Sequence, residues 1–330
     1  MSVVPALGKT TVLFVLYTLV FGGQTPAPPD KSIPVAPTIR LPLTKLKPDA
    51  TIDIGGDRVM TSGDGAIWVA SRETGQATRI DTKTNKPDDP IAVGKEPCSG
   101  LTTGFGTLIV PLCGVPGLAR VDLKTKAVTV TAKGVTATMV GPVTGVSSIW
   151  IVSDTRSTLA RIDPESNAHV ADVPIGARVL AMTFGQGALW LSTDKDELLK
   201  VSPYTIVTSE GIKVGKSPRS IATGEGAVWT LNAGDGSISR VDLKTNKVVT
   251  TIKLGQPISG GQIAVGEGSV WVSAPGLPLT RIDPRANHVV QQFTGEGGGT
   301  LLIAQGAIWV TATPKTIWRL DPKLIDATRQ

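Results

Sequence analysis

Residues 219–254 read RSIATGEGAVWTLNAGDGSISRVDLKTNKVVTTIKL, and this stretch decides the fold. Four short runs with alternating apolar and β-branched residues are separated by turns rich in Gly, Asp and Asn, which is the pattern of consecutive antiparallel strands. We predict strands at 219–223, 227–231, 237–241 and 248–254. One such small sheet cannot bury both of its faces alone, so it must pack against further copies of itself.

The same pattern occurs seven times, at a spacing of 38 to 42 residues. A bulky apolar slot, Trp in six copies, lies in each second strand: Trp68, Ile109, Trp150, Trp190, Trp229, Trp271 and Trp309. A basic slot lies in each third strand: Arg79, Arg120, Arg161, Lys200, Arg240, Arg281 and Arg319. Sheets that pack radially around an axis bury both faces and leave only short edges. The sequence therefore predicts an all-β, seven-bladed β-propeller with four antiparallel strands per blade, and the Trp slot is predicted to be core between blades.

The ends of the repeat region predict how the ring closes. The seventh copy has three strands, up to Asp321, and then lacks a good fourth strand. Residues 51–54 (TIDI), before the first copy, match the pattern of residues 251–254 (TIKL). We therefore expect an N-terminal strand to complete the last blade, and we place the propeller at residues 51–330.

The first fifty residues differ from the repeats. Lys9 precedes an apolar run from Val12 to Phe21, which has the length of a signal-peptide core and is short for a membrane span. Residues 1–23 are therefore expected to be a signal peptide or, if uncleaved, a short membrane anchor and the only membrane tether. Residues 24–50 are rich in proline and are expected to form an extended linker. This organisation predicts a periplasmic or extracellular protein.

The charge pattern argues against nucleic-acid binding. The net charge of +6 comes mostly from basic residues in turns, such as Lys244 and Lys247, and these form no stripe with interleaved aromatic residues. The aspartates that follow the basic slot, such as Asp81 and Asp242, begin turns of the form Asp-x-Lys-Thr-Asn. A carboxylate at that position accepts backbone N–H bonds, so these aspartates are predicted to form turns and not to act in catalysis.

Two segments of the repeat resemble a known family. Ile80–Asn85 (IDTKTN) and Gly226–Trp229 (GAVW) resemble the YVTN-type bacterial propeller repeats. The repeat pattern is also similar to that of the virginiamycin B lyase (streptogramin lyase) family of seven-bladed propellers. That resemblance implies a His base, and carboxylates that hold a metal, at the central mouth. The two histidines of the chain, His169 and His288, start predicted outermost strands and match no such base.

The loops that lead into the inner strands of a propeller gather around the mouth of its channel. Arg58, Lys95, Glu96, Arg178 and Arg219 fall in these loops, and Arg58 and Arg219 fall at equivalent positions. The arginines are predicted to make a cationic mouth that binds a carboxylate or a phosphate. The alternative is that they pair with acidic residues of the same loops: Asp57, Glu96, Asp194, Asp196 and Asp235.

Two classes of function stay open. The first is an exported, non-catalytic, monomeric propeller that binds a peptide, a glycan, a cell-envelope partner or a small anionic ligand through its loop face. The second is a streptogramin-lyase-like or lactonase-like enzyme at the channel mouth that uses carboxylates and arginines. We assign no catalytic residue, metal or cofactor, since the sequence shows no dense His/Asp/Glu cluster, Ser-centred elbow or phosphate-binding Gly loop. The lack of an axial His favours the first class.

The two cysteines predict one disulfide. Cys98 begins the first strand of blade two, and Cys113 ends the second strand of the same hairpin. Folding about the turn at residues 104–107 places them directly opposite, at a Cα separation that a disulfide spans. An oxidising compartment lets the bond persist. A shifted register would instead leave two free thiols.

Overall fold

The computed structural model describes residues 38–54, 58–98, 100–131, 135–153 and 157–328, except for the side chain of Arg58. Seven antiparallel four-stranded sheets, one of them extended by a fifth strand, form the blades of a β-propeller. The predicted fold class and blade count are confirmed. The predicted signal peptide or anchor at 1–23 and the linker up to residue 37 lie outside the described residues. No helix within the described ranges is long and apolar enough to cross a membrane.

The strands are numbered in chain order, and β1 (Ile39–Pro42) and β2 (Ala50–Asp53) precede blade one. Blades one to three contain β3 (Arg58–Gly63), β4 (Ala66–Ser71), β5 (Gln76–Asp81), β6 (Ile91–Ala92), β7 (Thr102–Gly104), β8 (Thr107–Leu112), β9 (Gly117–Asp122), β10 (Val128–Thr131), β11 (Val143–Gly145), β12 (Ser148–Val152), β13 (Thr158–Ile162) and β14 (His169–Pro174). Blades four and five contain β15 (Val179–Gly185), β16 (Ala188–Thr193), β17 (Glu197–Val201), β18 (Ile212–Lys213), β19 (Pro218–Gly224), β20 (Ala227–Asn232), β21 (Ser237–Asp242) and β22 (Lys247–Lys253). Blades six and seven contain β23 (Gln262–Gly266), β24 (Ser269–Ala274), β25 (Leu277–Asp283), β26 (His288–Thr294), β27 (Leu301–Ala304), β28 (Ala307–Thr313) and β29 (Thr316–Leu320).

The hairpin between the first and second strands of each blade is a two-residue turn. In blade five, Glu225 and Gly226 both have positive φ, at 47° and 73°. Two consecutive left-handed residues are the signature of a type I′ turn, whose twist matches that of the flanking strands. The glycine at the second position therefore permits this tight turn. The turn then sets which residues of the second strand pair with those of the inner, first strand.

The Trp slot is the core between blades, as predicted. All six tryptophans of the slot are fully buried. In blade five the indole N–H of Trp229 donates to the backbone oxygen of Gly224 at 3.1 Å, and the guanidinium of Arg240 lies 5.2 Å from the ring centroid. A cation over an aromatic face at this distance is attracted by the ring. In five blades the basic slot thus covers the Trp of the same blade, and in blade five the two residues are paired in register on neighbouring strands. Trp68 of blade one is covered instead by Lys126 of blade two.

The aspartate turns are also confirmed. Asp242 accepts the backbone N–H of Lys244 at 3.1 Å and that of Thr245 at 2.8 Å through Oδ1. Asn246 follows with a φ of 51°, a left-handed conformation that Asn tolerates. Because these hydrogen bonds favour the ionised carboxylate, that of Thr245 most strongly, they lower the pKa of Asp242.

The ring closes through β2, as predicted from residues 51–54. β2 pairs with β29 as the outer strand of blade seven, and Ile52 is buried against Ile317. Arg319 Nη1 lies 3.2 Å from Asp49 Oδ2 beside this strand. Blade seven therefore takes three strands from the C-terminal end of the chain and one from the N-terminal part.

The folded ring includes part of the segment that the sequence analysis expects to be a linker. β1 pairs in parallel with β26 at the outer edge of blade six, and Leu43 and Leu46 are buried just after it. A short helix, α1 (Pro322–Ala327), buries Ile325 in the same apolar cluster. The proline content predicted an extended linker up to residue 50, but it gave no sign of the apolar residues that attach residues 39–46 to the ring.

Candidate functional site

A cavity of about 280 Å³ lies on the propeller axis at the loop face. The loop face is the side that carries the loops into the first strands and the loops between second and third strands. Six of the seven blades contribute residues to the cavity from an inner strand or from the loop before it. Its polar side chains are Arg219, Ser220 and Gln262, while Met60, Leu101 and Met182 belong to its apolar wall.

One side of the cavity depends on two glycines. Gly100 and Gly141, in the loops that lead into blades two and three, both line the cavity. A Cβ added to Gly100 would lie 2.2 Å from the Cα of Gly141, far inside van der Waals contact. Only glycine permits this close approach of two backbones, so the pair fixes the width of the mouth between blades two and three.

The polar side chains of the cavity are held by bonds to neighbouring blades. Ser220 Oγ accepts the backbone N–H of Ile263 at 3.2 Å, and Gln262 Oε1 accepts that of Leu301 at 2.8 Å. Arg219 Nε donates to Ser217 Oγ at 3.1 Å. Each side-chain oxygen therefore serves the next blade, and the groups left for the cavity are N–H and O–H donors.

The three predicted arginines differ in their position relative to the axial cavity. Arg219 lines the axial cavity. Arg58 begins β3, where its backbone pairs with Ser71, two residues before the cavity residue Met60. Arg178 is exposed and is not among the lining residues. The cavity thus brings together Arg219 and the strand of Arg58, but it does not include Arg178.

Lys95 and Glu96 lie away from the axial cavity. Both are exposed, and Glu96 adopts a left-handed conformation with φ of 50°. They pack beside Gly114, where a Cβ on the glycine would lie 3.1 Å from the Glu96 Cβ. Their position is the blade-two edge of the loop face, next to the two cysteines.

Among the described residues, the acidic loop residues do not form the expected ion pairs with Arg178 or Arg219. Asp57 and the side chain of Arg58 lie outside the described part of the chain. Asp194 Oδ1 accepts the backbone N–H of Arg178, Asp196 Oδ1 that of Ser217, and Asp235 Oδ2 that of Lys216. Among the described side chains, neither Arg178 nor Arg219 makes a salt bridge: the pairs are Arg79–Asp81, Arg79–Asp88, His169–Asp172, Lys213–Glu197, Arg281–Asp326 and Arg319–Asp49. The acids order the loop backbone, and the arginine charges are left for solvent or a ligand.

Cys98 and Cys113 form the predicted disulfide, with a Cα separation of 5.2 Å. The predicted register holds near the turn, where Thr102 pairs with Ile109, but it is wrong at the cysteines. It would place Pro97 opposite Gly114, whereas Pro97 bridges to Leu112. The irregular backbone around Gly100, whose N–H bonds to the Cys98 oxygen, shifts the pairing. The cysteines are therefore diagonal neighbours and are not directly opposed.

Among the described residues, the features implied by the lyase resemblance do not occur at the mouth. His169 and His288 begin the outer strands β14 and β26, as predicted, and His169 Nε2 lies 2.9 Å from Asp172 Oδ1. In the described part of the chain, no three His, Cys, Asp or Glu side chains are grouped as metal ligands. The described residues that line the cavity therefore provide hydrogen-bond donors and methionine thioethers. None of them has a side chain that could act as a general base.

Sequence reasoning missed Ser220, Gln262 and the methionines. Ser220 and Gln262 lie at the start of inner strands and not in the loops before them. A polar residue there is indistinguishable from the ordinary alternation of polar and apolar residues along a strand. A usable signal was present in Met60, Met139 and Met182, which account for three of the four methionines in the chain and all line the one cavity. Methionine is over-represented at adaptable binding surfaces.

Comparison with known proteins identifies a shared architecture. No protein-family model and no curated protein matches the chain. Among solved structures, it is similar to the Pan2 WD40 domain of Neurospora crassa, with a TM-score of 0.64 and 11% identity over 80% of this chain and 89% of that chain. It is also similar to BamB from Moraxella catarrhalis, with a TM-score of 0.59 and 12% identity over 81% and 83%. These likenesses show the fold alone.

Proposed function

We propose that the chain is an exported, non-catalytic β-propeller that binds a peptide, a glycan or another cell-envelope partner through its loop face. The observation that carries the proposal is the axial cavity, where the terminal nitrogens of Arg219, the O–H of Ser220 and the NH₂ group of Gln262 have no protein partner among the described residues. Ser220 and Gln262 are half-buried and Arg219 is exposed. A concave site with several such convergent donors favours a ligand that supplies acceptors. Arg58, Arg178, Lys95 and Glu96 are proposed as the outer part of the same binding face.

Export is supported by the disulfide together with the N-terminal sequence. Disulfides such as Cys98–Cys113 persist in oxidising compartments and are rare in the cytosol. The apolar run from Val12 to Phe21 has the length of a signal-peptide core. We propose a periplasmic or extracellular location on these grounds.

We also propose a distant kinship with the YVTN-type repeats, supported by the IDTKTN and GAVW segments in the repeat. A lyase or lactonase activity receives no specific support, because both histidines lie at the rim, on outer strands. One fold of this kind hosts many unrelated functions, so kinship in the repeat does not carry an activity with it.

Site-directed photo-crosslinking in the native host tests the proposal. A crosslinking residue replaces Lys216 on the loop face or, as a matched control, Lys244 on the opposite face of the same blade; both positions are exposed. We expect envelope adducts from position 216 at several times the yield from position 244. Equal yields from the two faces, or adducts from position 244 alone, would contradict a loop-face binding site.

A further inference from the structure

We propose that the axial cavity binds a carboxylate carried on a short apolar group, with Arg219, Ser220 and Gln262 as its hydrogen-bond donors. This inference rests on the proposed function, because it names the ligand class of the same mouth.

Arg219 is positioned to present its guanidinium fork. Its Nε is held by Ser217 Oγ at 3.1 Å, which leaves the two terminal nitrogens as donors. Ser217 itself has a left-handed φ of 52°, and Asp196 Oδ1 accepts its backbone N–H at 2.8 Å. A planar fork with parallel N–H groups matches the two oxygens of a carboxylate. The acidic residue therefore acts on Arg219 indirectly, by fixing the serine that orients it.

Ser220 and Gln262 add donors of fixed orientation. The oxygen of Gln262 is tied to the N–H of Leu301 at 2.8 Å, so its NH₂ group is directed away from that bond. The oxygen of Ser220 is likewise tied to the N–H of Ile263, so its O–H is the free group. Each bond crosses to the next blade, which fixes the donors relative to the ring. Such a preorganised donor set selects a ligand that only accepts hydrogen bonds.

The charge of the cavity residues complements a ligand with a single negative charge. Among the described residues that line it, Arg219 is the charged side chain, and none of them carries a carboxylate. Asp194 and Asp235, in the surrounding loops, accept backbone N–H bonds and stay outside the cavity. A carboxylate carries one charge, whereas phosphate near neutral pH carries more and would be left partly uncompensated.

Part of the wall around these donors is apolar and adaptable, although most of the cavity surface is polar. Met60 and Met182 occupy equivalent positions on the inner strands of blades one and four, with Leu101 on the wall at blade two. Methionine adjusts to irregular apolar shapes through its flexible chain. The volume of about 280 Å³ is several times the roughly 30 Å³ that one liquid water occupies, which leaves room for a short aliphatic group beside the carboxylate.

The methionines also provide the measurement. The full chain with ¹³C-methyl methionine gives signals from Met1, Met60, Met139 and Met182 only. The probe is N-acetylvaline, and its uncharged control is N-acetylvalinamide, which has the same shape. We expect N-acetylvaline to shift the Met60 and Met182 signals in a saturable way. Equal shifts with the amide would overturn the carboxylate assignment, as would the absence of any shift at millimolar N-acetylvaline.

Matched variants test the donors. Gln262→Glu keeps the oxygen that accepts the Leu301 N–H but replaces the donor NH₂ group by a second, negative oxygen, so we expect at least a tenfold loss of affinity with the fold intact. Arg219→Gln is expected to lose about tenfold or more, because a charge-assisted hydrogen bond contributes about 1.5–3 kcal/mol and 1.4 kcal/mol is tenfold. Arg285→Gln, an exposed arginine in the turn after β25, on the face opposite the cavity, is the control and should bind like the wild type. Unchanged affinity in Gln262→Glu would overturn the proposal.

Two further probes separate the sources of the carboxylate. Tighter binding of the peptide Ala-Ala-Val than of isovalerate indicates a peptide C-terminus, and the reverse indicates a small organic acid; both support the shared chemistry. Inorganic phosphate that shifts the same signals at the same concentration would contradict it. If the loop face still crosslinks at position 216 while N-acetylvaline does not bind, the carboxylate inference fails and the proposed function stands.

Discussion

Arg240 of blade five donates through Nη1 to Asn287 Oδ1 of blade six at 2.7 Å, and the same nitrogen reaches the backbone oxygen of Pro284 at 2.8 Å. Arg120 makes the same pair of contacts to Pro164 and Asn167, from blade two to blade three. Both partner turns have the sequence Asp-Pro-x-x-Asn. In blade five the basic slot therefore covers Trp229 within its own blade and also bonds to the next blade. In blade two, where Ile109 takes the place of Trp, the basic slot makes the same bonds to the next blade.

Removing the Arg240 side chain should destabilise the ring more than removing Arg161. Arg161 covers Trp150 and bonds Ser148 at 2.8 Å within its own blade, so it is the matched control. We expect Arg240→Met to lower the free energy of unfolding by about 1–2 kcal/mol more than Arg161→Met, since it leaves two acceptors of a charged donor unpaired. Urea denaturation measures both variants. Equal losses would show that the contact between blades contributes nothing.

Closure through β2 predicts a sharp difference between neighbouring residues. Ile52 is buried in the blade-seven core at 3% exposure, whereas Thr51 beside it is exposed. Ile52→Ala should cost about 2–5 kcal/mol, and Thr51→Ala should cost little. A chain that begins at residue 57 lacks β2 altogether and should melt well below one that begins at residue 38. If these two truncated chains melt together, the N-terminal strand does not close the ring.

The aspartate turns predict loss of stability in acid. The backbone N–H of Thr245, then the Thr245 hydroxyl, lowers the pKa of Asp242 below its usual value. Because the pKa of Asp242 is lower in the folded state than in the unfolded state, its ionised carboxylate stabilises the fold at pH values above the unfolded pKa of about 3.9. This stabilisation is lost as the pH falls through the folded-state pKa.

Asp242→Asn keeps the Oδ1 acceptor without its charge. The wild type should therefore exceed this variant in unfolding free energy at pH 7, and the difference should shrink as the pH falls below roughly 4. Denaturant titrations of both proteins at pH 7 and at low pH measure it. A difference that is independent of pH would mean that the charge of Asp242 is not what the turn uses.

The disulfide predicts the thiol content and part of the stability. Denatured but unreduced protein from an oxidising compartment should contain no reactive thiol, and two thiols per chain would refute the bond. The cysteines are 15 residues apart, for which loop closure gives up to about 3 kcal/mol. Cys98→Ser with Cys113→Ser should cost less than this, because the hairpin already holds the two strands together.

The sequence predicted the blades well because each blade is specified locally. Positive-φ turns such as Glu225–Gly226 and aspartate turns such as Asp242–Asn246 are specified by consecutive residues. The repeat pattern that contains them, marked by the Trp slot, occurs seven times along the chain. The disulfide pairing was also predictable, although the irregular backbone near Gly100 made the register argument wrong. Gly141 of the next blade lies against Gly100, a contact that no local pattern shows.

The candidate site was only partly predictable for the same reason. Arg219 was found because a charged residue in a loop at the mouth stands out in the sequence. Ser220 and Gln262 were not found, since their role depends on which of their atoms bond the next blade, to Ile263 and Leu301. Likewise, Asp194 appeared as a partner for an arginine side chain but accepts the backbone N–H of Arg178.

The most direct test of the binding site is the position of a bound carboxylate in a crystal of the protein soaked with 3-bromobenzoate, whose aryl bromine is not displaced by its own carboxylate. We expect a bromine anomalous peak in the axial cavity beside Met60 and Met182, with the carboxylate on Arg219 and Gln262. A crystal of Gln262→Glu under the same conditions should lack that peak. Bromine bound only at the rim of the ring, or equally in both proteins, would contradict a carboxylate site at the channel mouth.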